Sequence, residues 1–390
     1  MVKKGVLVAF SEIGLRTAGV RRNLTKLLAE NLRKGLRWKG IKFYEIEARW
    51  ERIFIFTDKS EEVAELIKGV PGIRFTAPMY LVESSDLKPM LDKISELALE
   101  FVSGKSFKVI AKRRFKKLPY TSMQFSSLLG ERIIRRCKEM GAKATVDLIE
   151  PEVKVNVEID KDHSLVYFMR FEGFGGNPIG SQSPLVSLFS GGTDSAVAAW
   201  LMLQRGCRVF PIFMDQFPFN GLRAKRAYRV FHRLKEVVLY PELTLAIAKI
   251  GTLMENLARN VKPKNICVHC KRLMLKIANK YAKKVKAKGL VTGESIGQVA
   301  SQTVDNLYVI SQASDLPIYR PLSGFSKEMI HDLAREIDIY ELAAVDLGSC
   351  KLLPPHPTTK ANLKEILDEE RRLNVDSWID DVIDSLEFKE

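Results

Sequence analysis

The sequence contains no long hydrophobic run. Over its 390 residues, no apolar stretch approaches the roughly 20 residues that a membrane-spanning helix requires. The short apolar stretch near the N-terminus is followed at once by Ser11, Glu12 and Arg16, which is not the pattern of a signal peptide. We therefore predict a soluble protein with no membrane partner.

Cysteine is also scarce, with five residues, an odd number. Small secreted domains held together by disulfides are rich in cysteine, so this count excludes that class. Unpaired thiols favour a reducing compartment, where cysteines stay free or hold metal. The cytoplasm is the predicted location.

Acidic residues are outnumbered, and the imbalance is uneven along the chain. Asp and Glu number 47 against 62 Lys and Arg, which gives a formal net charge of +15. The first 180 residues hold 33 basic and 23 acidic side chains, whereas residues 361–390 hold 4 and 10. A basic surplus favours a polyanionic partner, because each neutralised phosphate releases condensed counterions.

One basic segment, AKRRFKKLPY at 111–120, surrounds Phe115 and ends at Tyr120. Cations interleaved with aromatic rings suit a phosphate backbone with an exposed base to stack, and a solvated loop without a ligand is the alternative. The predicted RNA contacts are Lys112, Arg113, Arg114, Lys116 and Lys117.

Apolar periodicity and turn signals divide the chain into three units and a linker. A strand, helix, strand, strand, helix order predicts an α+β unit over residues 1–70, and residues 71–172 form a second mixed unit of ordinary domain size. The glycine- and proline-rich stretch 173–184 is the predicted linker. Residues 185–390 begin with a buried strand, a Gly-rich turn and a helix, the start of a βαβ fold.

The Gly-rich turn is the hexapeptide SGGTDS, residues 190–195. Backbone N–H groups and the dipole at a helix N-terminus stabilise an anion, and Gly191 and Gly192 allow close approach to a phosphate. The turn matches neither GxxxxGK[ST] nor GxGxxG, which excludes a Walker loop and a dinucleotide fingerprint. Further donors to the anion are predicted from the hydroxyls of Ser190, Thr193 and Ser195.

Asp194 stands inside this turn, where a carboxylate is suited to hold Mg²⁺ against a leaving pyrophosphate. The alternative is an acidic residue that only stabilises the first turn of the helix.

Four cysteines follow the turn in the same unit, and Cys207, at a strand start, is interpreted as a packing residue. Cys267 and Cys270 form a CVHC motif, and Cys350 lies further along the chain. Three thiolates match an iron–sulfur cluster with one iron left open, whereas a zinc site needs another ligand, such as His269 or His356. A CxxC redox pair and three unrelated thiols are the remaining interpretations.

The chain as a whole resembles the tRNA 4-thiouridine synthetase family. SGGTDS in its setting is similar to the pyrophosphatase (PP) loop of adenine-nucleotide alpha-hydrolases, and other segments match in order and spacing: SEIGLR, FKVIAKRRFKKLPYTS, VDLIEPEVKVNVEI, GFGGNPIG, GLVTGESIGQVASQT and PLSGFSK. The resemblance implies a multidomain α/β protein. A ferredoxin-like domain would occupy 1–70, an RNA-binding THUMP domain 71–172, and a Rossmann-like parallel-sheet PP-loop domain 185–390.

The resemblance also implies a site for ATP and Mg²⁺. Its residues would be Leu188, Phe189, Ser190, Gly191, Gly192, Thr193, Asp194, Ser195, Phe213, Met214, Lys271, Gly293 and Gln302. The family usually has arginine where this chain has Lys271, and lysine lacks the bidentate fork of arginine.

The implied reaction is adenylation of uridine at position 8 of tRNA, release of pyrophosphate, and replacement of the C4 oxygen by sulfur. In the cluster-containing subgroup, Cys267, Cys270 and Cys350 would bind a 3Fe–4S or 4Fe–4S cluster. In members without a cluster, Cys350 would carry the sulfur, so Asp194 and Cys350 are the predicted catalytic residues.

No rhodanese domain follows the PP-loop domain in this sequence, so we expect sulfur from sulfide or a persulfide-carrying protein. The resemblance allows a homodimer. Two other activities stay open: a tRNA thiolase of another position, and an adenylating ligase on the same PP-loop fold, which would need no basic RNA-binding half.

Overall fold

The structure is a computed structural model. It describes residues 2–49, 52–84, 86–348 and 350–390. The chain forms two compact units, Met1–Gly176 and Asn177–Glu390. Within the described ranges, no helix is both long enough and apolar enough to cross a membrane.

Among the residues described, the strands of the first unit form one nine-stranded sheet in the order β2-β3-β1-β4-β8-β7-β5-β6, with β9 paired to β4. These strands are β1 (Val2–Phe10), β2 (Glu45–Arg49), β3 (Arg52–Phe56), β4 (Ile73–Val82), β5 (Ser106–Arg113), β6 (Thr145–Val146), β7 (Val153–Ile159), β8 (Ser164–Tyr167) and β9 (Phe171–Glu172). The helices are α1 (Ala18–Trp38), α2 (Ser60–Ile67), α3 (Leu87–Val102) and α4 (Ser122–Glu139).

The apolar run of β1 is explained by burial on both faces of the sheet. Val6, Leu7 and Val8 are successive residues and all are fully buried, so the strand shows no apolar–polar alternation. β4 lies between β1 and β8 and is antiparallel to both. One sheet thus runs through residues on both sides of position 70, and the domain boundaries 1–70 and 71–172 stay a prediction.

The residues of the predicted linker, 173–184, bond to each unit separately. The Gly173 N–H donates to the carbonyl of Arg74 at 2.7 Å, in the first unit. In the second unit, the Asn177 N–H donates to the carbonyl of Gln204 at 2.9 Å. A β-carbon at Gly173 would lie 2.5 Å from the Ile73 carbonyl oxygen, so this close approach requires glycine.

The second unit is a sheet of mostly parallel strands with helices. Its strands are β10 (Gln182–Leu188), β11 (Cys207–Asp215), β12 (Leu245–Lys249), β13 (Leu290–Val291), β14 (Ile318–Tyr319) and β15 (Glu387–Lys389). Its helices are α5 (Thr193–Gln204), α6 (Arg223–Val237), α7 (Gly251–Asn260), α8 (Ile266–Lys284), α9 (Val304–Ser311), α10 (Lys327–Glu336), α11 (Tyr340–Ala343), α12 (Leu363–Leu373) and α13 (Ser377–Asp384).

The strand order of this sheet is β14-β13-β10-β11-β12-β15. The chain adds strands first on one side of β10 and then on the other, so the order of connection reverses there. β11 and β12 follow on one side of β10, and β13 and β14 lie on the other, all parallel; only β15, against β12, is antiparallel in the described part of this sheet. In open parallel sheets, ligands bind at the carboxyl ends of the strands beside such a reversal. The SGGTDS turn follows β10 directly and therefore lies at this point.

A buried ion pair joins the C-terminal helices to α8. Arg272 is 1% exposed, and its Nε and Nη2 donate to Glu370 of α12 at 2.6 and 3.0 Å. Its Nη1 donates to the Val309 carbonyl of α9 at 2.6 Å. Burial alone would raise the pKa of Glu370, but Arg272 and then Lys276 outweigh it and hold that pKa below its ordinary value.

We predict that Glu370→Ala lowers the free energy of unfolding of the second unit by about 3–5 kcal/mol, because it leaves a buried guanidinium without its counter-ion. Urea denaturation followed by tryptophan fluorescence measures this loss. In the wild type, the contribution of Glu370 is complete above the ordinary carboxyl pKa and is lost as pH falls through the lowered one. Glu370→Ala should therefore show less acid sensitivity than the wild type.

The matched control is Asp368→Ala on the same helix, where Asp368 pairs with Arg371 on the surface. An exposed pair contributes at most about 1 kcal/mol, so equal losses from the two variants would contradict the role given to Glu370.

Candidate functional site

The SGGTDS turn is held close to two neighbouring elements by its glycines. Gly191 has a φ of +72°, and a β-carbon there would lie 2.3 Å from the Cα of Ala227 on α6. A β-carbon at Gly293, just after β13, would lie 2.6 Å from the carbonyl carbon of Asp194. Only glycine permits these approaches, so the turn is fixed between α6 and the loop after β13.

The serine hydroxyls of the turn bond within the turn. Ser195 Oγ accepts from the Ser190 N–H at 3.1 Å and donates to the Gly192 carbonyl at 3.0 Å. Ser190 Oγ lies 3.0 Å from Ser195 Oγ and accepts from the Gly192 N–H at 3.3 Å. In the structure these hydroxyls shape the turn, in addition to any contact with an anion.

Asp194 lies in the first turn of α5 and contacts a lysine from α10. Lys327 Nζ lies 2.5 Å from Asp194 Oδ1 and 3.2 Å from Thr193 Oγ1. Thr193 Oγ1 donates to the same carboxylate oxygen at 3.1 Å. Asp194 and Lys327 are both partly exposed, so a cation and a carboxylate stand together at the N-terminus of a helix.

A cleft of about 130 Å³ opens at the carboxyl ends of β10 and β11, where open parallel sheets bind ligands. Five residues predicted to bind ATP line it: Leu188, Phe189, Ser190, Phe213 and Met214. Its other lining residues are Ile212, Gln216, Asn220, Arg223 and Met274.

The predicted ATP residues Lys271 and Gln302 do not line this cleft in the described structure. Lys271 Nζ donates to Glu294 Oε1 at 2.8 Å, and Arg320 Nε donates to Glu294 Oε2 at 2.8 Å. Burial alone would raise the pKa of Glu294, but Lys271 and then Arg320 hold it below its ordinary value. Gln302 ends a short 3₁₀ turn.

Of the three cysteines predicted to bind a cluster, two lie beside one glutamine, and the third, Cys267, lies near them. Gln216 Nε2 lies 3.6 Å from Cys270 Sγ, and Gln216 Oε1 lies 3.8 Å from Cys350 Sγ. Burial raises the pKa of the Cys267 thiol, with the charge of Cys350 as the next cause. Burial raises the pKa of Cys270 to about 12, with the charges of Cys350 and then Cys267 adding to it. The three thiols therefore lie near one another, as a shared ligand site requires.

Of the two histidines that could complete a zinc site, His269 faces α12. His269 is buried, and its Nε2 lies 2.6 Å from Glu369 Oε2 on α12. His356 is exposed. In the described part of the chain, no three His, Cys, Asp or Glu side chains are placed to share a single metal ion. His269 Nδ1 lies 3.9 Å from Glu370 Oε1, so both ring nitrogens face carboxylates of α12, which argues against a zinc site that joins this histidine to the cysteines.

The predicted RNA loop, residues 111–120, begins inside β5, which includes Lys112 and Arg113, and it contains two kinds of basic residue. Arg113 Nη1 donates to the Tyr120 carbonyl at 2.5 Å, and Arg114 donates to Glu158 at 2.6 and 2.9 Å. The remaining three side chains are exposed and have no hydrogen bond or ion pair to any described residue: Lys112, Lys116 and Lys117. The arginines stabilise the loop, and the lysines are the cations that a ligand would meet.

Sequence reasoning does not find Glu294 or Gln216. Glu294 lies in the segment GLVTGESIG, but the sequence does not show which side chains it faces. Arg320 and Lys327 are candidate phosphate contacts from the sequence, and the structure adds their carboxylate partners, Glu294 and Asp194. Gln216 follows the carboxyl end of β11, and that position is the signal by which it could be found.

Comparisons with known proteins agree with this architecture. Residues 180–375 match the family model of the thiamine biosynthesis protein (ThiI), residues 84–168 the THUMP domain, and residues 5–76 the ThiI ferredoxin-like domain. The chain is 34% identical over 374 residues to a probable tRNA sulfurtransferase of Thermococcus kodakarensis, covering 92% of this chain and 94% of the relative. It is 36% identical to one of Methanocaldococcus jannaschii, covering 93% and 96%.

A solved structure of a 4-thiouridine synthetase–RNA complex with bound ATP superposes with a TM-score of 0.86 at 29% identity, covering 99% of both chains. The predicted fold class is thereby confirmed: a ferredoxin-like domain, a THUMP domain and a PP-loop domain. The chain belongs to the tRNA sulfurtransferase family.

Proposed function

We propose that this protein uses ATP to replace the C4 oxygen of a tRNA uridine, at position 8, by sulfur. The observation that carries the proposal is the position of Gln216. It lines the cleft beside the PP loop and also contacts Cys270 and Cys350. A nucleotide site and a thiol site thus share one residue, which suits adenylation and sulfur insertion at one carbon atom.

The cleft and the PP loop would bind ATP. Apolar side chains, among them Leu188, Phe213 and Met214, suit the adenine ring, and the N-terminus of α5 suits the phosphates. The solved relative with bound ATP supports this assignment. Asp194 would hold Mg²⁺, because that ion is commonly bound by one or two carboxylates together with substrate phosphates. Lys327 would neutralise charge on the departing pyrophosphate.

Cys267, Cys270 and Cys350 would hold an iron–sulfur cluster. The residues fit such a group, because each thiolate of a cluster binds a different iron and the three need not converge on one ion. The high pKa of Cys270 means that the free thiol stays neutral, and metal coordination removes its proton. When bound, the cluster would supply an open iron site for sulfide.

The reaction needs activation because the C4 oxygen of uracil is a poor leaving group. The C4 oxygen bonds to the α-phosphorus of ATP, pyrophosphate leaves, and the N3 proton is released. Hydrosulfide then adds to C4, the bond from C4 to the AMP oxygen breaks, and 4-thiouridine and AMP are released. PP-loop N–H groups and Lys327 stabilise the charge of pyrophosphate in the first step.

The first unit would bind the tRNA. Lys112, Lys116 and Lys117 are free to contact phosphates, and the relative solved with RNA supports a role in RNA binding. All five cysteines are free thiols, which suits a reducing cytoplasm. Sulfide or a persulfide-carrying protein would supply the sulfur.

To test the activity, we would incubate the protein with ATP, Mg²⁺, sulfide and a tRNA transcript, and identify thiolated nucleosides by mass spectrometry. We expect 4-thiouridine with uridine at position 8 and none with cytidine there. Thiolation at another uridine in both transcripts would instead identify a thiolase of another position.

We further predict that Asp194→Ala reduces pyrophosphate release by at least about a hundredfold, because the carboxylate no longer holds the metal ion at the leaving group. Affinity for tRNA should change less than about twofold. The control is Ser385→Ala, at the end of α13 and outside the site, which should keep both pyrophosphate release and tRNA affinity. An equal loss of tRNA affinity and pyrophosphate release would contradict the role of Asp194.

For the cysteines, we predict that protein purified without oxygen contains iron and acid-labile sulfide. The double variant Cys267→Ala, Cys270→Ala should lose both, because two of three ligands are removed, whereas Cys207→Ala should retain both. Elemental analysis measures the contents directly. Zinc alone, or no metal, in the wild type would refute the cluster and leave a persulfide on Cys350 as the sulfur carrier.

For the RNA loop, we predict that replacing Lys112, Lys116 and Lys117 by alanine weakens tRNA binding. The plot of log affinity against log salt should become shallower by roughly 0.7–0.9 for each phosphate that is no longer neutralised. Filter binding over a salt series measures both quantities.

The control removes the same charge from exposed helix ion pairs of the first unit, by alanine at Lys59, Lys68 and Lys93. If the two triple variants lose equal affinity, the loop has no specific role in RNA binding.

A further inference from the structure

Two arginines on α6 stand beside the PP loop and have no role in the site described so far. Arg223 lines the cleft together with Ser190 and Gln216. Arg226 faces the loop itself, since a β-carbon at Gly192 would lie 3.6 Å from Arg226 Nη2. The close packing of Gly191 on α6 fixes this arrangement, because Ala227 is the next residue of the helix.

Neither arginine has an acidic partner among the residues that the structure describes. Arg226 Nε is buried and makes no hydrogen bond to a described residue. Burial lowers the pKa of Arg226, and the charge of Arg223 lowers it further. Two neighbouring cations without a counter-ion, one of them with an unused buried donor, are typical of a site for a multiply charged anion.

The same two side chains also hold the chain segment that leads to Cys350. Arg226 Nη1 donates to the Val345 carbonyl at 3.1 Å, and Arg223 Nη2 donates to the Gly348 carbonyl. On the far side of the cysteine, the Lys351 N–H donates to the Phe219 carbonyl at 3.3 Å, in the loop between β11 and α6. The Cys350 segment, which includes Val345, Gly348 and Lys351, is therefore hydrogen-bonded to the beginning of α6 and to the loop before it.

We propose that Arg223 and Arg226 bind the β- and γ-phosphates of ATP and thereby link occupation of the PP loop to the position of the Cys350 segment. A guanidinium has five donors, so each arginine keeps its carbonyl contact while it donates to a phosphate. When ATP is bound, a phosphate also holds each arginine in place. Because the arginines donate to the carbonyls of Val345 and Gly348, this contact restrains residues 345–348. The inference rests on the proposed ATP site and adds two positioning residues to it.

The test compares ATP with AMP, because AMP lacks the phosphates that the arginines would contact. We expect Arg226→Ala to weaken binding of α,β-methylene-ATP roughly tenfold to a hundredfold, as for the loss of hydrogen bonds to a charged group. Binding of AMP should change less than about twofold. The affinity of Arg226→Lys for the ATP analogue should lie between those of the wild type and Arg226→Ala, because lysine keeps the charge and lacks the bidentate guanidinium.

The readout is isothermal titration calorimetry on the complete protein, with Arg229→Ala, an exposed arginine of the same helix, as the matched control. If Arg226→Ala weakens the binding of AMP and of the ATP analogue equally, or weakens the binding of neither nucleotide, the phosphate contact is refuted. The proposed ATP site is unaffected by either result. If the wild type binds neither nucleotide, both the inference and the proposed function fail.

A second measurement tests the link to Cys350. Hydrogen exchange of the peptide that spans residues 344–353 should slow at least threefold when the ATP analogue saturates the wild type. The slowing should be absent in Arg226→Ala at saturating analogue and present in Arg229→Ala. An equal slowing in all three proteins, or none in the wild type, would overturn the link.

Discussion

The site depends on a close backbone approach at the carboxyl end of β10. Gly191 packs on α6 and Gly293 packs on the first turn of α5, at distances that exclude any β-carbon. These contacts hold α6 and the segment after β13 against the SGGTDS turn. α6 brings Arg223 and Arg226 to the turn, and the segment after β13 carries Glu294, which is paired with Lys271 and Arg320. The strand reversal at β10 leaves this edge of the sheet open to a ligand.

The charged side chains around the site are of two kinds: some are paired inside the protein, and others can meet a substrate. Glu294 lies between Lys271 and Arg320, and Arg272 pairs with Glu370, so these charges are neutralised inside the protein and maintain its structure. Arg223 and Arg226 lack such partners among the described residues, and Asp194 has Lys327 at a partly exposed position. Arg223, Arg226 and the partly exposed pair of Asp194 and Lys327 are therefore the charges that a charged substrate can meet.

The PP loop can be predicted from sequence because its chemistry lies in six contiguous residues between a strand and a helix. The grouping of Cys267, Cys270 and Cys350 is one of several interpretations that the sequence leaves open, and the resemblance favours it. The structure adds Gln216 between two of the thiols. The loop at 111–120 shows that composition alone does not identify which basic residues are available to a ligand. Its five cations look alike in sequence, but Arg113 and Arg114 bond to the protein, and only tertiary structure separates them from the lysines.

The central claim is that ATP activates the uridine C4 oxygen, and the fate of that oxygen tests it most directly. A tRNA carrying ¹⁸O at C4 of uridine 8 would be thiolated with ATP and sulfide, and the released AMP analysed by mass spectrometry. We expect one ¹⁸O atom in the phosphate of AMP for each thiouridine formed. Unlabelled AMP with label in water, or label in inorganic phosphate with formation of ADP, would contradict adenylation.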